Sequence, residues 1–195
     1  MAVSIVFALL ACLFYCVWEY DLVKNDLIKS LCKDFVDLSP CLLLFFFFDI
    51  RCAVLLIGCV VANVLIDEND IMGALAFAFV YSFTAWLAYH TWEFNWIKLT
   101  VSLAIPLCLC GAILPFWKVD LLTKCLACVY AVGTLGSCLY AFSACRNIGF
   151  LLLFFGDVSL IVSRLEFKEC VKRTIRTLSN CVYFFGVVLI PLTFV

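Results

Sequence analysis

The feature that most constrains this chain is a series of long apolar runs divided by short polar breaks. Crossing the hydrocarbon of a bilayer takes about 20 mostly apolar residues, somewhat fewer for a short helix. By that measure eight spans are predicted, over residues 2–18, 27–48, 52–66, 71–90, 96–116, 121–142, 148–163 and 177–194. The breaks between them are "DIR", "DEND", "HTWEFN", "WKVD", "SACRN" and, longest, "RLEFKECVKRTIR". Backbone groups in hydrocarbon must pair within their own segment, which selects helices. Connections this short force neighbours in sequence to pack antiparallel. The expected fold is therefore all-α: a polytopic membrane protein of about eight transmembrane helices in one up-and-down bundle, a single domain over 1–195.

Composition points the same way. Apolar residues make up 67% of the chain, 20 of them Phe, and the mean hydropathy of +1.19 lies far above that of soluble domains. A formal net charge of −1, with no basic cluster beyond 168–176, gives no electrostatic footprint for nucleic acid. The opening "MAVSIVFALLACLFYCVW" lacks a basic n-region and is followed by equally apolar segments, so it reads as a first membrane helix. Most of the 14 Cys sit inside apolar runs, where a thiol behaves as a small hydrophobe rather than as part of a disulfide framework.

Most Lys and Arg gather at the odd-numbered connections, against Arg51, Lys98 and Arg146 at the even ones. The positive-inside rule then places the odd connections in the cytoplasm and both termini opposite. The expected location is an endomembrane such as the ER, or the plasma membrane, with no ER-retention or lipidation signal in the sequence.

Within "FFGDVSLIVSR" the carboxylate of Asp157 interrupts a run that is otherwise nearly all apolar. A charge at the bilayer centre costs several kcal/mol and so faces the bundle interior or a water-filled cavity. Asp157 is thus either a buried acid kept neutral or bonded to a neighbouring helix, or a functional acid. The second span is also charged: in "KSLCKDFVDLSP", Lys33 and Asp37 stand at i,i+4, with Lys29 one turn before Lys33. That group reads as a helix start projecting into the interface, with snorkelling Lys stems. Asn63 reads as an interhelical amide and Tyr81 as a packed aromatic. A rise of about 1.5 Å per residue puts Asn63 about 6 Å, Asp157 about 10 Å and Tyr81 about 16 Å below connections on one side of the membrane. Asn63, Asp157 and the start of the second helix, with Lys29, are therefore expected to line one cavity open to that side.

Other motifs carry little. "CLAC" at 125–128 has no second pair at zinc-site spacing and lies on a predicted membrane helix. His90, the single histidine, ends the fourth span beside Trp92 and Trp96 as an interfacial residue. The sequence has no GxSxG elbow, HExxH, P-loop or selectivity-filter segment. No cofactor and no metal are expected.

The spacing of these polar residues resembles the YhhN family of membrane proteins, which includes the lysoplasmalogenases. "GFLLLFFGDVSLIVSR", 149–164, resembles a family pattern of Gly, an apolar run, Ser-Asp, a second apolar run and a basic residue. Asp157 falls on the family's second acid, Gly156 replaces the Ser, and Arg164 takes the basic position. "LIKSL" places Lys29 on the family's second-helix lysine. In "RCAVLLIGCVVANVLID" the family's Gly-Asp becomes Ala62-Asn63, and in "GALAFAFVYSFTAW" its His-x-x-Tyr becomes Tyr81-x-x-Thr84. The last helix gives Asn180-Cys181-x-x-Phe184 where the family has Tyr-Tyr-x-x-Gln, and a small shift recruits Tyr183.

The resemblance implies a hydrolase that cleaves the vinyl-ether bond of lysoplasmalogens, releasing a fatty aldehyde and a glycerophospho-base. Asp157 would be the acid/base, Asn63 would stand at the first family acid, and Tyr81 at the family His. Lys29 and Arg164 would bind substrate. The alternative is a catalytically inactive member that binds lysolipid in the membrane. Asp67, one turn beyond Asn63, is a candidate replacement acid.

Overall fold

The structure is a computed structural model that describes residues 2–42, 50–68, 70–91, 94–163 and 165–190. Among these residues it is all-α, with no strand: α1 (Ala2–Glu19), α2 (Asp26–Leu42), α3 (Ile50–Glu68), α4 (Asp70–Thr91), α5 (Trp96–Ile113), α6 (Leu121–Cys145), α7 (Ile148–Ser163) and α8 (Glu169–Leu189). A 3₁₀ turn, Leu114–Phe116, continues α5. Every predicted run yields a helix. Residues 43–48 of the second run and 191–194 of the last lie outside the described residues.

The polar breaks supply the helix caps. The Asn95 side chain accepts from the N–H groups of Ile97 (2.9 Å) and Lys98 (3.1 Å), and Asp120 accepts from Thr123 N–H (3.0 Å). Asn25 does the same for Leu27 N–H at 3.0 Å. These are the short acceptor side chains that satisfy the first orphan donors of a helix. The last helix departs from the hydropathy reading: it begins at Glu169 rather than near 177. Its charged first turns are held by ion pairs of Arg173 (3.5 Å) and Arg176 (3.0 Å) with Glu19 at the end of α1.

Helix contacts run α1 to α2, α2 to α3, α3 to α4, α4 to α6, α6 to α7, α7 to α8, and α8 back to α1, a closed ring. α5 stands outside it, packed on α6. Sequence neighbours therefore pack as expected except at α4, which passes over α5 to reach α6. The reason lies on α6, where small and apolar side chains (Ala131, Thr134, Leu135, Cys138, Ala141) are buried along the helix. On α5 the buried positions reduce to one stripe, Ser102, Pro106 and Cys110.

Small residues set the closest approaches, as they do where lipid gives helices no hydrophobic reason to associate. A Cβ on Gly149 of α7 would lie 2.8 Å from the Gly186 carbonyl oxygen of α8, and one on Gly136 of α6 would lie 2.8 Å from Leu103 Cδ2 of α5. Asn147 clamps the same end of the α7–α8 pair, donating to Leu189 O at 2.9 Å.

Among the described residues two helices, Trp96–Phe116 and Leu121–Cys145, are long and apolar enough to cross a membrane, and shorter apolar helices cover Ile5–Glu19, Ala53–Leu65, Met72–Phe83 and Ile148–Ser163. Large apolar side chains, including Leu13, Leu75, Phe79, Leu107, Val129 and Phe155, point outward from five of the helices.

Candidate functional site

Inside the ring lies a cavity of about 290 Å³ to which α1, α2, α3, α4, α6, α7 and α8 all contribute lining side chains. Asp157 enters it from α7. Its position follows from the packing of α7 on α8: the Gly156 carbonyl accepts a buried hydrogen bond from Ser179 Oγ at 2.6 Å. A Cβ on Gly156 would meet Ser179 O at 3.3 Å and Tyr183 N at 3.4 Å. The missing side chain lets α8 bring Ser179 and Tyr183 up to the face that carries Asp157.

Three buried polar atoms on different helices make no hydrogen bond here: Tyr81 Oη on α4, Asp157 Oδ2 on α7 and Tyr183 Oη on α8. Tyr81 neighbours Asp157, and Tyr183 neighbours Cys59 and Asn63, with no hydrogen bond completed from either hydroxyl. A buried polar atom left unsatisfied costs about 1–3 kcal/mol. Three of them around one cavity are costly for a purely structural core, where such groups are nearly always paired. The arrangement suits a site whose occupant carries hydrogen-bonding groups.

The remaining polar lining combines two cations, a second carboxyl and two amides. Lys33 and Asp37 reach the cavity from α2, Asn63 from α3, and Arg176 and Asn180 from α8. Lys33 Nζ lies 5.8 Å from the centroid of the Trp18 ring, within cation–π range. Asn180 donates to Tyr15 Oη (2.6 Å), and Tyr15 donates in turn to Glu19 (3.4 Å). Glu19, its side chain 10% exposed, also holds Arg173 and Arg176. This network ties α1 to α8 along one wall.

The sequence-derived residues divide accordingly. Asp157 and Asn63 line the cavity together, and Tyr81 is buried behind them, 2% exposed, facing Asp157. Lys29 is not among the lining residues. It pairs with Asp21 of the α1–α2 connection at 2.6 Å, and its ammonium holds the Asp21 carboxyl below the usual carboxylate range. Arg164 lies outside the described residues, as do the side chains of Arg51, Asp67, Thr84 and His90.

Sequence reasoning assigned Lys33 and Asp37 to the membrane interface, whereas both line the cavity. Their i,i+4 spacing was the available signal. Ser179 and Tyr130 were missed, and Asn180 and Tyr183 entered only through the resemblance over the last helix, because a hydroxyl or amide in an apolar run does not show which face of the helix is inward.

No family model, curated protein or solved structure matches the chain.

The arrangement offers definite chemistry. Asp157 is an acid held among aromatic hydroxyls, and Asp37 is a second carboxylate lining the same cavity. Asn63 can orient water but cannot take up a proton. The described cysteines are free thiols, and among the described residues no group of His, Cys, Asp or Glu is arranged to hold a metal ion.

Proposed function

We propose that this chain is a multi-pass membrane protein of the YhhN type, with eight spans, whose Asp157 cavity binds lysolipid and cleaves the vinyl-ether bond of lysoplasmalogens. The observation that carries the reading is Asp157 itself: a carboxyl with Oδ2 unbonded and buried, in a cavity that also holds Asp37, Lys33 and Arg176. Multi-pass insertion, in an endomembrane such as the ER or in the plasma membrane, is supported by the outward apolar side chains of Leu13, Leu75, Phe79 and Phe155, which lie on helices other than α5 and α6. Exposed apolar surface of that extent suits lipid rather than water.

The chemistry follows from the groups present. The neutral Asp157 carboxyl protonates the alkenyl carbon of the vinyl ether, and the ether oxygen shares the positive charge as an oxocarbenium ion. Water held near Asn63 adds to that ion and returns a proton to Asp157. The resulting hemiacetal collapses to a fatty aldehyde and a glycerophospho-base. A general acid of this kind contributes about 10²–10⁴-fold, and the second carboxyl lining the cavity, that of Asp37, is the group available to steady the cation. Lys33 and Arg176 suit the phosphate of the head group.

A second reading is favoured by Asn63, a neutral amide at the position the resemblance gives to an acid: a catalytically inactive protein that holds lysolipid. One experiment separates the two. Purified protein in lipid, supplied with lysoplasmalogen, is expected to release aldehyde, and Asp157→Asn to abolish that release. No release above a membrane blank, with lysolipid still bound, establishes the binding reading instead.

A further inference from the structure

A second cavity of about 340 Å³ adjoins the first, on the outer side of the ring, between α5, α6 and α7. Its walls are apolar: Leu109 and Ile113 of α5, Leu126, Ala127 and Leu135 of α6, and Ile161 of α7. Trp117 and Thr123 lie at the end where the α5–α6 turn closes. That end is shared with the α7–α8 connection, because Lys118 and Glu166 form an ion pair across it at 2.9 Å. From Thr123 to Leu135 the groove follows α6 for about 18 Å.

The two cavities have residues in common. Tyr130 of α6 and Leu160 of α7 line both. On one side of this pair lie Lys33, Asp37, Asn63, Asp157 and Arg176, and on the other side lies a slot with almost nothing polar in it. A polar chamber joined to an apolar slot is the complement of an amphiphile.

We propose that the groove between α5, α6 and α7 seats the alkyl chain of a single-chain amphiphile whose polar head occupies the Asp157 cavity, the molecule passing between Tyr130 and Leu160. The inference rests on the lysolipid reading of that cavity and adds the path of the chain. Among the described residues the other small cavity that touches the Asp157 cavity, at Phe184, holds only about 10 Å³, so the groove takes one chain and a diacyl lipid leaves its second chain without a seat there. The placement also gives α5 a role. It lies outside the ring and buries a single stripe, yet it forms the outer wall of the slot. A chain leaving bilayer for groove gains little hydrophobic energy, since lipid tails are as apolar as Leu. The groove therefore acts by aligning the chain and so fixing which atoms of the head region stand at Asp157.

The lining places a natural reporter in each compartment, Trp117 in the groove and Trp18 in the polar cavity. The test uses full-length protein in nanodiscs, with all other Trp changed to Phe to leave either Trp117 or Trp18. The groove probe is a saturated hexadecyl-ether lysophospholipid brominated at mid-chain, which vinyl-ether chemistry leaves intact. The cavity probe is a hexyl lysophospholipid with a nitroxide on its head group. Saturable quenching of Trp117 is expected, displaced by the unbrominated lysolipid but not by a diacyl phospholipid, and weakened at least tenfold by Ala127→Phe.

Trp117 quenched equally by brominated diacyl lipid, with no displacement, means ordinary surrounding lipid and overturns the proposal. Trp18 quenched while Trp117 stays silent also overturns it and leaves the lysolipid reading of the polar cavity intact. Silence at both sinks both. Quenching at Trp117 without aldehyde release upholds the chain path while the hydrolase reading fails. Should Ala127→Phe not fold, displacement by the single-chain but not the double-chain competitor still decides the matter.

Discussion

Asp157 differs from an ordinary buried acid in what surrounds it. A structural carboxyl is expected to hydrogen-bond a neighbouring helix, but Oδ2 of Asp157 is buried without a partner, and the hydroxyls of Tyr81 and Tyr183 are in the same condition. The residue at 63, an amide where the proposed resemblance has an acid, bears directly on this group. An amide there can hold water but supplies no second charge, and residues that act as a unit lose more than their separate shares. Asn63→Asp is accordingly expected to raise aldehyde release by about 10²-fold, the low end of what a placed acid or base contributes. The assay is release per mole of protein, with Asp157→Asn as blank. An unchanged rate would mean that position 63 does not limit the chemistry and would turn attention to Asp37, the other carboxylate lining the cavity. Lys29 belongs to a different part of the molecule. Its pair with Asp21 lowers the Asp21 carboxyl, so the stability it lends is present above the ordinary Asp range near pH 4 and is lost as pH falls through the depressed value.

Helix positions were legible in the sequence to a degree that helix partners were not. Runs such as 148–163 and 96–116 declare themselves because apolar length is read directly from composition, and Asn95 and Asp120 mark their own helix starts. The charged opening of α8 did not declare itself. Hydropathy sees Lys168–Arg176 as a polar break, whereas Glu19, distant in sequence, pairs with Arg173 and Arg176 and holds the segment helical. Contact between α7 and α8 depends on glycine in the same indirect way. Gly149→Ala would place a methyl 2.8 Å from Gly186 O, a backbone atom that cannot rotate aside. The helices must separate, at a cost of about 1–3 kcal/mol for overpacking. Gly111 on α5 has nothing within 4 Å of a built Cβ, and Gly111→Ala is expected to be neutral or to stabilise by up to about 1 kcal/mol through helix propensity. Thermal unfolding of both variants in the same detergent checks the contrast. Equal midpoints would mean that the α7–α8 approach does not contribute to stability.

At the scale of the molecule, the order of helices around the ring decides which residues meet, and short connections alone do not reveal it. Rise per residue put Asn63 and Asp157 in one cavity, as the structure has them, but Lys33 rather than Lys29 joins them: the two share a face of α2, and Lys29, one turn nearer the helix start, pairs with Asp21 instead. What the connections do determine is sidedness. Lys118 and Glu166 join the α5–α6 turn to the α7–α8 connection, and Lys98 Nζ donates to Ser143 O (3.0 Å), joining the start of α5 to the last turn of α6 at the opposite end. The odd connections also hold most of the positive charge, which favours the cytoplasmic face. A protease-recognition peptide inserted at 23–24, 118–119 or 166–167 is therefore expected to be cut in inside-out vesicles and protected in right-side-out ones, and one inserted at 146–147 to show the reverse. Cleavage of 118–119 and 166–167 from opposite faces would contradict the ion pair between them and the eight-span arrangement together. Cleavage of every site from both faces would mean that the apolar surfaces of α5 and α6 do not insert.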